Sequence, residues 1–102
     1  MIDRNYICNL QQRDTDISQY IVSLYNMPVQ INAKTIVELG AGQSTFALTA
    51  AANKTEGEFF CFDMGPGPAT WLRGFPEGVG TLEIEPRFHF TQQPDLEASV
   101  TW

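Results

Sequence analysis

A chain of 102 residues can form one domain, burying somewhat over ~60% of its unfolded surface. Its 6 basic and 12 acidic residues weigh against nucleic acid as a partner, because sequence-independent binding needs clustered Lys and Arg to displace counterions. No apolar run reaches the length of a membrane span, and the amino terminus lacks the basic and apolar regions of a signal peptide, so no membrane partner is expected and the cytoplasm is the expected location.

Residues 1–12 lack periodicity and are expected to be a loop or a loosely attached arm. A leading helix is expected over 13–27, because Ile17, Tyr20, Ile21 and Leu24 recur at three- and four-residue spacing. Asp14, Thr15 or Asp16 can cap it, and Pro28 falls just past its end. Ile36, Val37 and Leu39 form a short apolar run, as a strand buried on both faces would. Gly40 and Gly42 break that run, and Ser44 or Thr45 is a good N-cap for the alanine-rich helix expected over 44–54. Ala47, Ala50 and Ala51 would let this helix lie close against a sheet. Phe59-Phe60-Cys61-Phe62 reads as a second buried strand, closed by Asp63, 23 residues after Gly40.

Residues 64–86 hold four of the six prolines, so only Ala69–Arg73 could make a short helix there. Residues 87–92 alternate, with Phe88 and Phe90 on one side and His89 on the other, which suits an edge strand. Three strands joined by long connections make a parallel sheet, since crossovers of this kind are almost always right-handed. Cys8 and Cys61 are expected to be reduced thiols, Cys61 serving as a small core residue, and without a Cys/His cluster no structural zinc is expected.

The most informative stretch is Thr35 to Thr45, a strand, a glycine turn and a helix start. Glu38 stands two residues before the first glycine. A carboxylate there repels phosphate and suits a ligand bearing an ammonium or a sulfonium. A dinucleotide fingerprint would place a third glycine where Thr45 stands. Glu38-Leu39-Gly40-Ala41-Gly42 resembles motif I of the class I S-adenosylmethionine-dependent methyltransferases, and Val37 to Thr45 is similar to their small-molecule and O-methyltransferase branch. The resemblance runs from about Asp14 to about Glu97.

The resemblance implies an α/β fold, a Rossmann-like parallel sheet with flanking helices in strand order 3-2-1, truncated after the third strand, with residues 35–97 forming the cofactor-binding βαβ units. It implies S-adenosylmethionine as cofactor and a small-molecule methyl acceptor, with O-directed transfer. Glu38 would lie near the methionine moiety through water or the loop backbone. Gly40, Ala41 and Gly42 would line the turn, and Ser44 would touch the ligand or cap the helix. Asp63 would take both ribose hydroxyls, Met64 would pack on the adenine face, and Asp95 would lie near the adenine amino group. A catalytic base, and the metal-binding acids of the O-methyltransferase branch, come in that family largely from the other half of the domain, so no catalytic residue is assigned. His89 reads as a surface residue, and Trp71 and Trp102 have no assignable role. A different reading makes the chain a non-catalytic half-domain used for binding or assembly; a nicotinamide-dependent enzyme is disfavoured by Glu38 and Thr45. In either of the first two readings the open edge of strand one is expected to pair with a second copy or a companion chain.

Overall fold

Among the described residues, three parallel strands and three helices build the α/β fold, which is Rossmann-like, with helices flanking the sheet. The computed structural model describes residues 1–13, 20–65, 82 and 84–93. The helices are α1 (Arg4–Arg13), α2 (Ile21–Gln30) and α3 (Gln43–Thr55). The strands β1 (Thr35–Leu39), β2 (Glu58–Asp63) and β3 (Phe88–Gln92) lie side by side in that order. Ile36 pairs with Phe59, and Cys61 pairs with Phe90.

The long connection between β1 and β2 is α3, whose small residues allow close approach. Ala47, Ala50, Ala51 and Ala52 are buried with Phe46, and Thr45 and Thr49 are buried between them. Glu56 ends the helix in the left-handed conformation, with φ 57°. Gly57 follows, and a Cβ there would stand 2.8 Å from the backbone of Ala33 and Lys34. Only glycine fits where α3 turns back beside the start of β1. Gly57→Ala is expected to lower stability by about 1–3 kcal/mol, the usual range for forcing backbone apart. A urea melt with a lower midpoint and an unchanged slope would show it.

Residues 1–12 are not an arm. α1 occupies residues 4–13, and Ile2, Ile7 and Leu10 are among the most buried side chains. Tyr6 lays its ring 5.6 Å from that of Phe46. Carboxylate chemistry fastens the amino terminus: the Ile2 N–H donates to Glu85 Oε1 at 2.5 Å, and Asn53 Nδ2 donates to Glu85 Oε2 at 3.0 Å and to the Ile2 carbonyl at 2.9 Å. The second helix ends three residues later than expected, at Gln30. It runs over Ile21–Gln30, with residues 14–19 and their candidate caps outside the described residues. Pro28 lies within its last turn, where its missing N–H deprives only the Leu24 carbonyl of a helical donor. Asn32, at φ 52°, carries the chain away toward β1.

The strands differ from expectation in one respect. Ile36, Phe59 and Cys61 are buried, but on the opposite face Val37 is 57% exposed, Leu39 47% and Phe60 36%. The topology explains it. Both connections step the same way along the sheet, and right-handed crossovers in one direction fall on one face. Leu82 and Glu85, in the second connection, are indeed buried with α1 and α3. Among the described residues, the apolar run is therefore a strand covered on one side only. β3 follows its alternation, with Phe88 and Phe90 packed against the core and His89 exposed.

Candidate functional site

The carboxyl ends of β1 and β2 meet at the turn into α3, and Glu38 and Asp63 both belong to this edge. Gly40 takes a positive φ of 90°, a conformation that a side chain strains. Gly42 is the N-cap of α3 in place of Ser44 or Thr45, because the helix begins two or three residues earlier than those hydroxyls suggest. Its φ of 179° is open to any residue, and a Cβ there would meet nothing within 4 Å. Nothing among the described residues requires glycine at 42.

Three successive loop N–H groups are engaged internally. Gly40 N–H donates to the Phe62 carbonyl at 2.7 Å, Ala41 N–H to Asp63 Oδ2 at 2.7 Å, and Gly42 N–H to Thr45 Oγ1 at 3.0 Å. Thr45 in turn donates its hydroxyl to Glu38 Oε1 at 2.6 Å, and Ser44 donates to Glu38 Oε2. Two carboxylates thus clamp the turn, Asp63 directly and Glu38 through Thr45. The other Asp63 oxygen accepts the Gly65 N–H at 2.8 Å. The backbone of Asp63 is held as well, its carbonyl accepting the Gln93 N–H at 2.8 Å.

Glu38 shares a strand face with Ile36, two residues away, so its side chain turns toward α3 rather than outward. There it accepts from Ser44, Thr45 and, at 3.6 Å, the Cys61 thiol. Burial raises its pKa above the usual carboxylate value, against the lowering effect of the Ser44, Thr45 and Cys61 donors; the nearby Asp63 charge adds to the rise. The Cys61 thiol is pushed up to about 12, first by burial and then by Glu38, so it stays protonated and is a hydrogen-bond donor rather than a nucleophile.

A pH dependence follows. In the unfolded chain Glu38 ionises at its ordinary pKa, while the folded chain still holds the proton. Stability therefore falls as pH rises through the window between the two values, and is flat above it. Glu38→Gln, which keeps an oxygen for the Ser44 and Thr45 hydroxyls, is expected to lose that part of the decline. Urea midpoints of both proteins, measured from mildly acidic pH to neutrality, would diverge upward with pH in favour of the glutamine variant; parallel curves would refute the assignment.

The remaining candidates are distributed as follows. Met64 is 51% exposed at the edge, and its carbonyl accepts the Gln92 Nε2 at 3.2 Å. Asp95 lies outside the described residues, as do Trp71 and Trp102 and the short helix expected at 69–73. His89 stands away from the edge, on the bare face, stacked on Phe60 at 5.0 Å and 3.4 Å from Glu58. Sequence reasoning did not assign Gly65 or the relay role of Thr45. The Asp63-Met64-Gly65 spacing carried a signal for the first, since an aspartate often takes the N–H two residues on. Among the described residues, no group of three or more His, Cys, Asp or Glu could hold a metal ion, and no helix is long and apolar enough to cross a membrane.

No family model matches the chain, and no curated protein or solved structure matches it significantly.

Proposed function

We propose that this edge binds S-adenosylmethionine, as the cofactor-binding portion of an O-directed methyltransferase acting on a small molecule. The observation that carries the reading is the engagement of the Gly40, Ala41 and Gly42 N–H groups inside the chain. Loops that cradle phosphate present such groups to the ligand. Here a pyrophosphate would find these three donors engaged and two carboxylates close behind them. A ligand with a cationic centre and a ribose meets the opposite situation. Each Asp63 oxygen accepts one backbone N–H and keeps capacity for a ribose hydroxyl. Gly40 and Gly42 leave open space for close approach, and exposed Met64 offers a thioether surface to an adenine ring.

Glu38, engaged by three side chains, holds the turn in shape and adds negative potential beneath it. The bound cofactor would supply an electrophilic sulfonium methyl. What remains for catalysis is alignment of an acceptor hydroxyl with that methyl, and its deprotonation.

Isothermal titration with S-adenosylhomocysteine, and with NAD in parallel, tests the reading. Saturable heat with the first and none with the second is expected. Binding of NAD alone, or of neither ligand, would overturn it. Among the described residues no strand pairs with the outer edge of β1, which favours the second reading, an assembly module; under it the edge pairs with another chain while S-adenosylhomocysteine produces no heat.

A further inference from the structure

The two oxygens of Glu38 are held unequally. Oε1 accepts the Thr45 hydroxyl at 2.6 Å and the Cys61 thiol at 3.6 Å, whereas Oε2 accepts the Ser44 hydroxyl. Thr45 is fully buried, and its oxygen already accepts the Gly42 N–H at 3.0 Å, so its proton is fixed toward Glu38. A proton added to Glu38 therefore belongs on Oε2. The half-buried Ser44 must then turn its hydroxyl from donor to acceptor, because a protonated carboxyl donates where the ionised one accepts.

We propose that Glu38 is a proton-linked sensor of ligand charge: a cationic cofactor bound at this edge drives the Glu38 proton into solvent, and Ser44 reverses its hydrogen bond as the proton leaves. This rests on the S-adenosylmethionine reading of the same site and adds its regulation. The groups that act on the Glu38 charge are Cys61 and Asp63 from β2 and the uncharged Ser44 and Thr45 from the first turn of α3, none of them a cation. The basic residue of that helix, Lys54, stands in its last turn. Burial, with a smaller contribution from the Asp63 charge, favours the neutral carboxyl against its three donors. A positive centre beside Glu38 and Asp63 supplies the charge that these neighbours lack, and so favours the ionised form.

Reciprocity fixes the sign. Binding that favours the ionised carboxyl is itself favoured by loss of the proton. Affinity therefore rises with pH through the window between the ligand-free and ligand-bound values, and is level on either side. Each unit by which the ligand lowers the Glu38 value is worth about tenfold in affinity across that window. Sulfonium and ammonium both contribute to the pull. Beside S-adenosylhomocysteine, which lacks the sulfonium charge, Glu38 holds its proton to a higher pH than beside S-adenosylmethionine. The site therefore favours the methyl donor over its demethylated product increasingly as pH rises toward neutrality.

Isothermal titration of the full chain with each of these two ligands, in buffers of differing ionisation enthalpy, counts the protons. A range from about pH 4.5 to 7 lies between the ordinary glutamate value and that of an α-ammonium. Proton release should pass through a maximum there and be larger for S-adenosylmethionine. The ratio of the two affinities should widen as pH rises. Glu38→Gln, which keeps an oxygen for both hydroxyls, should release no proton and hold that ratio constant. Ser44→Ala removes a donor to the ionised carboxyl and should move the maximum to higher pH. Binding of both ligands without proton release, equal release by Glu38→Gln and the parent, or a maximum that Ser44→Ala leaves in place would each overturn the inference while the cofactor reading stands. Binding of neither ligand would overturn both.

Discussion

Asp63→Ala is expected to weaken S-adenosylhomocysteine binding tenfold or more, while His89→Ala leaves it unchanged. Asp63 ties two strand ends together through Ala41 and Gly65 and still faces the open edge, whereas His89 pairs with Glu58 on the bare sheet face. A hydrogen bond to a charged group contributes about 1.5–3 kcal/mol, and each 1.4 kcal/mol is roughly a factor of ten in affinity. Alanine also leaves the Ala41 and Gly65 N–H groups without their acceptor, so part of the loss comes through a looser turn. Asp63→Asn separates the two effects. It retains one carbonyl oxygen for a backbone donor but has lost the charge and one acceptor. If Asp63 acts only on the turn, affinity in the asparagine variant follows thermal stability. If it meets the ribose, affinity falls further than stability does. Equal losses from Asp63→Ala and His89→Ala would remove Asp63 from the site.

The largest effect on the fold is expected from Ile7→Ala, which should cost about 2–5 kcal/mol, as buried aliphatic truncations do. Ile7 is fully buried on α1, in the cluster that includes Leu10, Tyr25 and Phe46. For a chain whose whole stability is of the order of 5–15 kcal/mol, that loss is a large fraction. Asn9→Ala, at an exposed position of the same helix, is the comparison, and should lie within about 0.5 kcal/mol of the parent. Equal urea midpoints for the two variants would mean that α1 contributes nothing to the core.

The contrast between α1 and α3 shows where sequence was informative. The helix expected over 44–54 is observed at Gln43–Thr55, and the strand ending at Asp63 starts at Glu58. A glycine turn on one side and Gly57 on the other punctuate these elements, so local chemistry sets their limits. α1 has no such signal. Its ten residues carry only Ile7, Leu10, Tyr6 and Cys8 as apolar groups among Arg, Asn and Gln. What makes it a helix of the core is its packing on α2 and α3, a tertiary effect that outweighs weak periodicity. The bare sheet face escaped for a related reason, because composition shows that Val37 and Leu39 are apolar, while topology determines which side receives helices.

At the candidate site, the placement of Glu38 and Asp63 at one strand edge was legible from the spacing of the two βα units. The direction of Glu38 was not drawn from it, although its two-residue separation from buried Ile36 carried that information. The hydroxyls of Ser44 and Thr45 then drew the carboxylate under the turn. The result gives two acids of similar sequence context different settings, Glu38 beneath the loop under two hydroxyls and Asp63 at the strand end holding the loop backbone directly.

The clasp between Ile2 and Glu85 also has a consequence for biosynthesis. The two residues are 83 apart in sequence, so α1 cannot complete its packing until the segment just before β3 has been made. At about 5–20 residues per second, that interval is roughly 4–17 s. Throughout it Ile2, Ile7 and Leu10 lack the Glu85 anchor and the covering Leu82, and an apolar helix face waits in solvent. Closing so long a loop adds an entropic cost that grows only slowly with length, but it makes docking of the amino terminus a late event. Nascent chains are therefore expected to be vulnerable to aggregation and to chaperone capture at α1 until that segment has been made.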